Sequence, residues 1–235
     1  MGYIQKLLAG AEIETATKSD YAPFAHLHYR KGSLAAVDKV YALRLPTYGR
    51  VGIIVYSYPP PHLLARRLAL GAILPQNPTR SEMMTFINKN IRIISRVVIL
   101  PQFRGASLAK RLVAATVDKV QVPIIEAVAA MGEFNAFFTK AGLTQFIPPP
   151  NPKKQQLKQL LLAAGFTEDM MLSADLAAAH TETLDRQTKL EIDRQTDILL
   201  GAYGRKRLIK DKNQKIQTLL SILNSQPTYF YKIIK

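Results

Sequence analysis

The hydrophobic pattern of this chain changes period between residues 92 and 120. Ile93, Ile94, Val97, Val98, Ile99 and Leu100 form a β-branched apolar run, the mark of a buried strand. Leu108, Leu112, Val113, Thr116, Val117 and Val120 then recur at helical spacing. Between the two lies a bend of small residues, Arg104-Gly105-Ala106-Ser107-Leu108-Ala109. A strand that enters a helix through such a bend turns several backbone N–H groups toward one spot, and that spot favours a phosphate.

The remaining pattern predicts elements on both sides of this unit. Residues 3–9 and 11–17 read as an entry strand, and Asp20 as the N-cap of a short helix over 21–27 that stops at the polar cluster 28–32. Residues 36–45 and 50–58 read as a hairpin joined by Pro46-Thr47-Tyr48-Gly49, with a stop at the prolines 59–61. Residues 62–90 give a short helix, a polar loop and another short segment. Downstream, 122–130 is a buried strand entered through Pro123, and 131–146 a short helix with Gly142 as its C-cap, followed by a further strand. After the break at 147–153 the pattern turns helical. Asn151-Pro152 opens a helix that Gly165 stops, Ser173 caps a long helix reaching about Leu200, and a last helix over 206–223 buries Leu208, Ile216, Leu219, Leu220 and Leu223. Residues 227–234 read as a final strand.

Composition narrows the chemistry. The chain has no cysteine, which excludes disulfides, thiolate metal sites and a cysteine nucleophile, and its four histidines form no metal-binding pattern, so no metal is expected. No apolar run is long enough to span a bilayer and the N-terminus lacks a signal-peptide layout, so a soluble, cytoplasmic protein with no membrane partner is expected. The 32 Lys and Arg against 17 Asp and Glu give a net charge of +15, with basic excess on both sides of residue 150. Such a field attracts polyanions, nucleic acid first.

The bend resembles the R/Q-x-x-G-x-G/A loop with which the GNAT superfamily of N-acetyltransferases cradles the pyrophosphate of acetyl-CoA. Arg104 matches the first position and Ala109 the last, while Ser107 stands where the middle glycine is usual. The segment Asn135-Ala136-Phe137-Phe138-Thr139-Lys140-Ala141-Gly142-Leu143 is similar to that superfamily's N-x-x-A-x-x-F/L-Y-x-K-x-G-F stretch. HYRKG, GIIVYSYPPP, RIISRVVILPQFRG and MGEFNAFFTKAGL further resemble acetyltransferase-like domains fused to ABC-type ATPases and phage DNA-modification proteins of the Mom type. The resemblance implies an α/β acyl-CoA N-acyltransferase fold: a GNAT-like core over 1–150 with a mixed sheet splayed between its central strands, a helical insertion over 151–224, and a last strand over 225–235 completing the sheet. It implies acetyl-CoA, or another acyl-CoA, as cofactor, held by Val97, Val98, Ile99, Arg104, Gly105, Ala106, Ser107, Leu108, Ala109, Asn135 and Phe138. By analogy it implies a protein partner such as an ABC-type ATPase; nothing in the sequence fixes an oligomeric state.

Transfer of an acyl group to an amine also needs a base, oxyanion stabilisation and a proton for the leaving thiolate. Glu126, in the middle of an apolar strand, is the candidate base; the alternative is a structural pairing with Arg92, Arg96 or Lys140. Backbone N–H groups around Val97 and Val98 would stabilise the oxyanion. Phe138 stands where the superfamily has a proton-donating tyrosine, which leaves Tyr29, Tyr56, Tyr58 or water for that task. For the acceptor, His28, Tyr29, Arg30, Tyr56, Tyr58, Asn88, Asn90 and Arg92 combine stacking rings with hydrogen-bonding groups. Arg205, Lys206 and Arg207, with Lys210, Lys212 and Lys215, make a basic stretch suited to a phosphate backbone or to a solvated helix face. Three functions fit: acylation of an amine on nucleic acid, with a DNA base favoured over RNA; acylation of a protein or small amine; or a non-catalytic nucleic-acid-binding module on the same fold.

Overall fold

In a computed structural model of the chain, the described residues are 10–28, 34, 36–130 and 136–234. Among them seven strands make one sheet in the order β1-β2-β3-β4-β5-β7-β6. They are β1 (Glu12–Ala16), β2 (Val37–Leu45), β3 (Gly49–Ser57), β4 (Ile91–Ile99), β5 (Ile124–Ala129), β6 (Thr144–Phe146) and β7 (Thr228–Ile233). Helices α1 (Leu64–Leu70) and α2 (Arg80–Asn90) precede β4, α3 (Leu108–Thr116) carries the chain from β4 to β5, and α4 (Phe137–Lys140) leads into β6. All neighbouring strands are antiparallel except β4 and β5, the parallel pair that needs α3 as its crossover.

That parallel pair opens partway along. Residues 91–94 of β4 pair with 124–127 of β5, and the pairing ends at Ile94 and Ala127. On its other side β4 continues against β3 as far as Ile99. A β-bulge sits at the same point: Tyr56 opposes Ile94 and Val55 opposes Arg96, which leaves Ser95 without a counterpart. A bulge bends its strand and adds twist, turning β4 away from β5 just where their ladder stops.

Apolar clusters cover both faces. Leu112 and Val113 of α3 pack with Leu43, Ile54, Phe138 and Phe230. Tyr21 and Phe24, from a 3-10 segment over Ser19–Leu27, pack with Leu34, Val40, Ile53 and Val98 on the opposite face. α1 and α2 contribute Leu70 and Ile87 to a third cluster with Ile91, Ile124 and Tyr229. A capping box fixes the start of α2: Thr79 Oγ1 accepts from the Glu82 amide (3.2 Å) and Glu82 Oε2 from the Thr79 amide (2.8 Å).

Pro149–Gln226, between β6 and β7, form a second compact unit. It contains α5 (Pro152–Ala163), α6 (Glu168–Leu172), α7 (Ala174–Thr183), α8 (Arg186–Ala202) and α9 (Lys212–Leu223) around Leu157, Leu161, Met171, Leu199 and Leu220. Side chains of Asn151, Thr167, Ser173, Asp185 and Asp211 cap the five helices in turn. The architecture is therefore a mixed, splayed sheet flanked by helices, with a helical insertion before the last strand.

Several expected boundaries move. The long helix from Ser173 divides in two, because the Asp185 carboxylate accepts from the amides of Gln187 (2.8 Å) and Thr188 (3.0 Å) and starts a new helix. The last helix begins at Lys212 and not at residue 206, since Asp211 caps it through the Gln214 amide (2.7 Å); Lys206–Leu208 is a 3-10 turn. Asp20 does not cap a helix: it lies inside the 3-10 segment and accepts from the Thr17 amide and hydroxyl, both at 2.7 Å. The strand expected at 3–9 and the Leu208 side chain lie outside the described residues. Among the described residues no helix is long and apolar enough to cross a membrane.

Candidate acyl-CoA cleft

Where β4 and β5 part, the sheet opens into a cleft of about 1190 Å³. One wall is the edge of β4 over residues 95–99, with no strand partner on that side; the other is the end of β5 at Val128 and Ala129. The bend closes one end with Arg104, Gly105, Ser107, Leu108, Ala109 and Lys110, and α4 adds Phe137, Phe138 and Lys140. Leu27, His28, Leu34, Ser57 and Tyr58 also line it.

The bend owes its shape to two left-handed residues. Gly105 has φ +85°, and Ser107 has φ 57° and ψ 17° as the N-cap residue of α3. The first helical bond runs from the Arg111 amide to Ser107 O (3.1 Å). Amides 105–110 donate to no described residue, so the start of α3 presents a run of unspent N–H groups beside the cleft. The Ser107 hydroxyl makes no cap bond that would compete for them. Arg104 spends its Nε on Ile99 O (3.1 Å), while Lys110 brings a second cation to the same end. Of the residues expected to hold the cofactor, Val97, Val98, Ile99, Arg104, Gly105, Ser107, Leu108, Ala109 and Phe138 line this space. Ala106 instead packs against the core under α3, and Asn135 lies outside the described residues.

The expected proton-handling groups are placed elsewhere. Glu126 does not line the cleft: it is fully buried and its carboxylate is closed on both sides. Arg66 Nη2 donates to Oε1 (2.6 Å), Arg66 Nε to Oε2 (2.8 Å), and the Tyr229 hydroxyl to Oε2 (2.8 Å). The pairing alternative named the wrong partners, since the cation is Arg66 and not Arg92, Arg96 or Lys140. Burial, and then the adjacent carboxylate, push the Tyr229 phenol up. Tyr56 does not line the cleft either. It is fully buried under α3, its hydroxyl is 2.7 Å from Thr116 Oγ1, and burial pushes its phenol up. Phe138 packs on Phe137 (ring centroids 4.2 Å apart) and Phe230 (5.0 Å) and carries no proton to give.

The acceptor set divides. His28 and Tyr58 line the cleft. Arg92 does not: its Nε donates to Asp38 Oδ2 (2.9 Å), its Nη1 to Asn88 O (2.7 Å), and its guanidinium lies 3.9 Å from the Tyr58 ring centroid. Asn88 is exposed on α2 and contributes its carbonyl to Arg92; Asn90 is tied to Phe86 O (2.8 Å). Tyr29 and Arg30 lie outside the described residues. Arg205, Lys206 and Arg207 belong to the helical unit, where Lys206 pairs with Asp197 (2.8 Å) and Lys215 with Asp193 (2.5 Å) and Asp197 (2.6 Å). Half of the expected basic face is thus neutralised by α7 and α8, as Lys212 also pairs with Glu182.

Neither Arg66, which closes the Glu126 carboxylate away from the cleft, nor Arg96, which lines it, was expected in that place. Arg66 had no signal beyond its place in a basic pair after three prolines. Arg96 interrupts an apolar strand, and that interruption was the available clue.

No family model matches the chain, and no curated protein matches it. Among solved structures, an IAA acetyltransferase from Bacillus cereus ATCC 14579 is similar at 12% identity and a TM-score of 0.39, over 58% of this chain and 78% of that one.

Proposed function

We propose that this chain is an acyl-CoA-dependent N-acyltransferase acting on an amino group of nucleic acid, with a DNA base as the favoured acceptor. The observation that carries the reading is the cleft, in which an unpaired strand edge runs toward a bend of unspent amides flanked by two cations. Amides 105–109 with Lys110 suit a diphosphate, and Val97, Phe137 and Phe138 offer apolar walls to a pantetheine-like arm. At about 1190 Å³ the cleft is no smaller than the roughly 300–1,000 Å³ that serves one drug-sized ligand. Acetyl-CoA, when bound, supplies an activated thioester, so that overall an N–C bond replaces the C–S bond and the proton lost by the amine ends on the thiol. Leu100 gives its N–H to Val51 O on the β3 side, so by alternation Val97 and Ile99 turn their backbone groups to the open edge, where an acyl oxygen could accept a hydrogen bond. His28 is the imidazole among the described lining residues, and histidine is the common proton carrier near neutral pH. The net charge of +15 supports a polyanionic acceptor.

A second reading, a binding module that keeps the fold without the reaction, is favoured by one observation: Glu126 is absent from the cleft lining and Phe138, which lines it, has no proton to give. Mass spectrometry of nucleosides from DNA and RNA of expressing cells separates the two. The first reading expects a nucleoside carrying an acyl mass increment that disappears in Lys110→Glu. Unaltered nucleosides from both nucleic acids, together with salt-dependent nucleic-acid binding, would assign the second.

A further inference from the structure

Three arginines of the described residues are buried: Arg66 (2% exposed), Arg92 (7%) and Arg96 (9%). Two are matched by carboxylates, Arg66 by Glu126 (2.6 Å) and Arg92 by Asp38 (2.9 Å). Arg96 has no such match among the described residues. Its Nη1 donates to Ser95 O (2.7 Å), and its Nε is buried with no hydrogen-bond partner. A buried cation without a counter-charge is costly, and so is a buried donor left unmade. Protein folds keep such a group where something else completes it.

The place of Arg96 says what that is. It lines the cleft at the splay, next to the bulged Ser95. Directly opposed residues of an antiparallel pair share a face. Arg96 opposes Val55 and Val98 opposes Ile53, and Val55, Val98 and Ile53 all belong to the cluster under the 3-10 segment. Val97 opposes Ile54 and packs on the other face, with α3 and Phe138. Arg96 therefore points to the face away from α3, where the bend and its amides are not. Ser57 and Ser95 line the cleft as well, their hydroxyls 2.8 Å apart, and so do His28 and Tyr58.

We infer that Arg96 anchors an oxyanion, a phosphate or a carboxylate, carried by the acyl acceptor close to its amine. This rests on the acyltransferase reading for the word acceptor, but the anion site itself stands on Arg96 alone. The chain then selects acceptors by a charged group beside the reacting nitrogen, and a neutral amine of the same shape is a poor substrate.

Calorimetric titration tests this with four probes: deoxyadenosine 5′-monophosphate against deoxyadenosine, and glycine against glycinamide. Each is run with and without saturating acetyl-CoA, on wild type, Arg96→Gln and Arg96→Lys. The expected result is that one oxyanion-bearing probe binds about tenfold or more tightly than its neutral counterpart. The preference is lost in Arg96→Gln, partly kept in Arg96→Lys, and acetyl-CoA affinity changes less than about twofold. Whether dAMP or glycine shows the preference tells phosphate from carboxylate. No preference in wild type, or one that survives in Arg96→Gln, overturns the inference. Failure of acetyl-CoA to bind wild type overturns the acyltransferase reading instead, and the arms without acetyl-CoA still decide the anion site. Thermal melting supplies the folding control: Arg96→Met is expected to melt no lower than wild type, and unfolding of both Arg96→Met and Arg96→Gln would contradict an unmatched charge.

Discussion

Arg66 and Glu126 meet as a two-pronged ion pair, Nη2 to Oε1 at 2.6 Å and Nε to Oε2 at 2.8 Å, with side chains 2% and 0% exposed. The guanidinium also donates to Pro60 O from both terminal nitrogens at 3.0 Å, so the pair clamps the proline stop after β3 to the middle of β5. Removing one partner leaves the other buried and unmatched. Arg66→Met is expected to cost about 3–5 kcal/mol in urea unfolding, and Arg66→Met with Glu126→Leu much less than the two single changes together. A single change costing under about 1 kcal/mol would show that the pair is solvated.

Ser107 occupies a left-handed conformation (φ 57°), the one that glycine adopts without penalty. Relief of that strain is worth about 1–2 kcal/mol, offset in part by the extra freedom of glycine in the unfolded chain. Ser107→Gly is thus expected to raise stability by up to about 1 kcal/mol and to keep or tighten acetyl-CoA binding. Gly105→Ala, at φ +85°, is expected to do the reverse although its Cβ would meet nothing within 4 Å. Melting curves and titrations of the two variants check both signs.

Alkali should destabilise the protein through Tyr56 and Tyr229. Both are fully buried and both phenols are pushed above their ordinary value of 10.0, chiefly by burial. The folded state therefore holds these protons to higher pH than the unfolded chain does. Their contribution is complete below pH 10 and is lost as pH rises beyond it, by about 1.4 kcal/mol per pH unit for each tyrosine. Unfolding free energies measured from pH 9 upward should fall accordingly, and Tyr56→Phe should remove its own share of that slope.

Phe138 lines the cleft without a proton donor. General acid catalysis is commonly worth 10²–10⁴-fold, but a thiolate leaves readily and needs little of it. Phe138→Tyr is expected to raise kcat by less than about tenfold. A larger gain would mean that the missing hydroxyl limits the reaction.

The central unit was readable because its signals are local. The β-branched run of β4, the small residues of the bend and the helical spacing of α3 lie within thirty residues, and each element makes its pattern alone. The hairpin and β7 were legible for the same reason. What escaped was long-range or competitive. Glu126 stands 60 positions from Arg66 and 103 from Tyr229, and nothing in an apolar strand says which cation will reach its one carboxylate. The basic stretch after Gly204 looked open to solvent because its acidic partners, Asp193, Asp197 and Glu182, sit on earlier helices. Helix periodicity ran through Asp185 without a break, and only the capping bonds of that residue reveal the division of α7 from α8. Tyr56 looked like a cleft residue by its neighbour Tyr58, yet Tyr56 is fully buried within β3, while Tyr58 lies just past the end of that strand and lines the cleft.

The most direct test of the cleft is amide NMR of the 15N-labelled protein during titration with acetyl-CoA. Saturable shifts are expected at amides 105–110 and along 95–99 of β4. Acetyl-CoA that moves no amide, or moves residues remote from the splay and the bend while these stay fixed, would contradict the assignment.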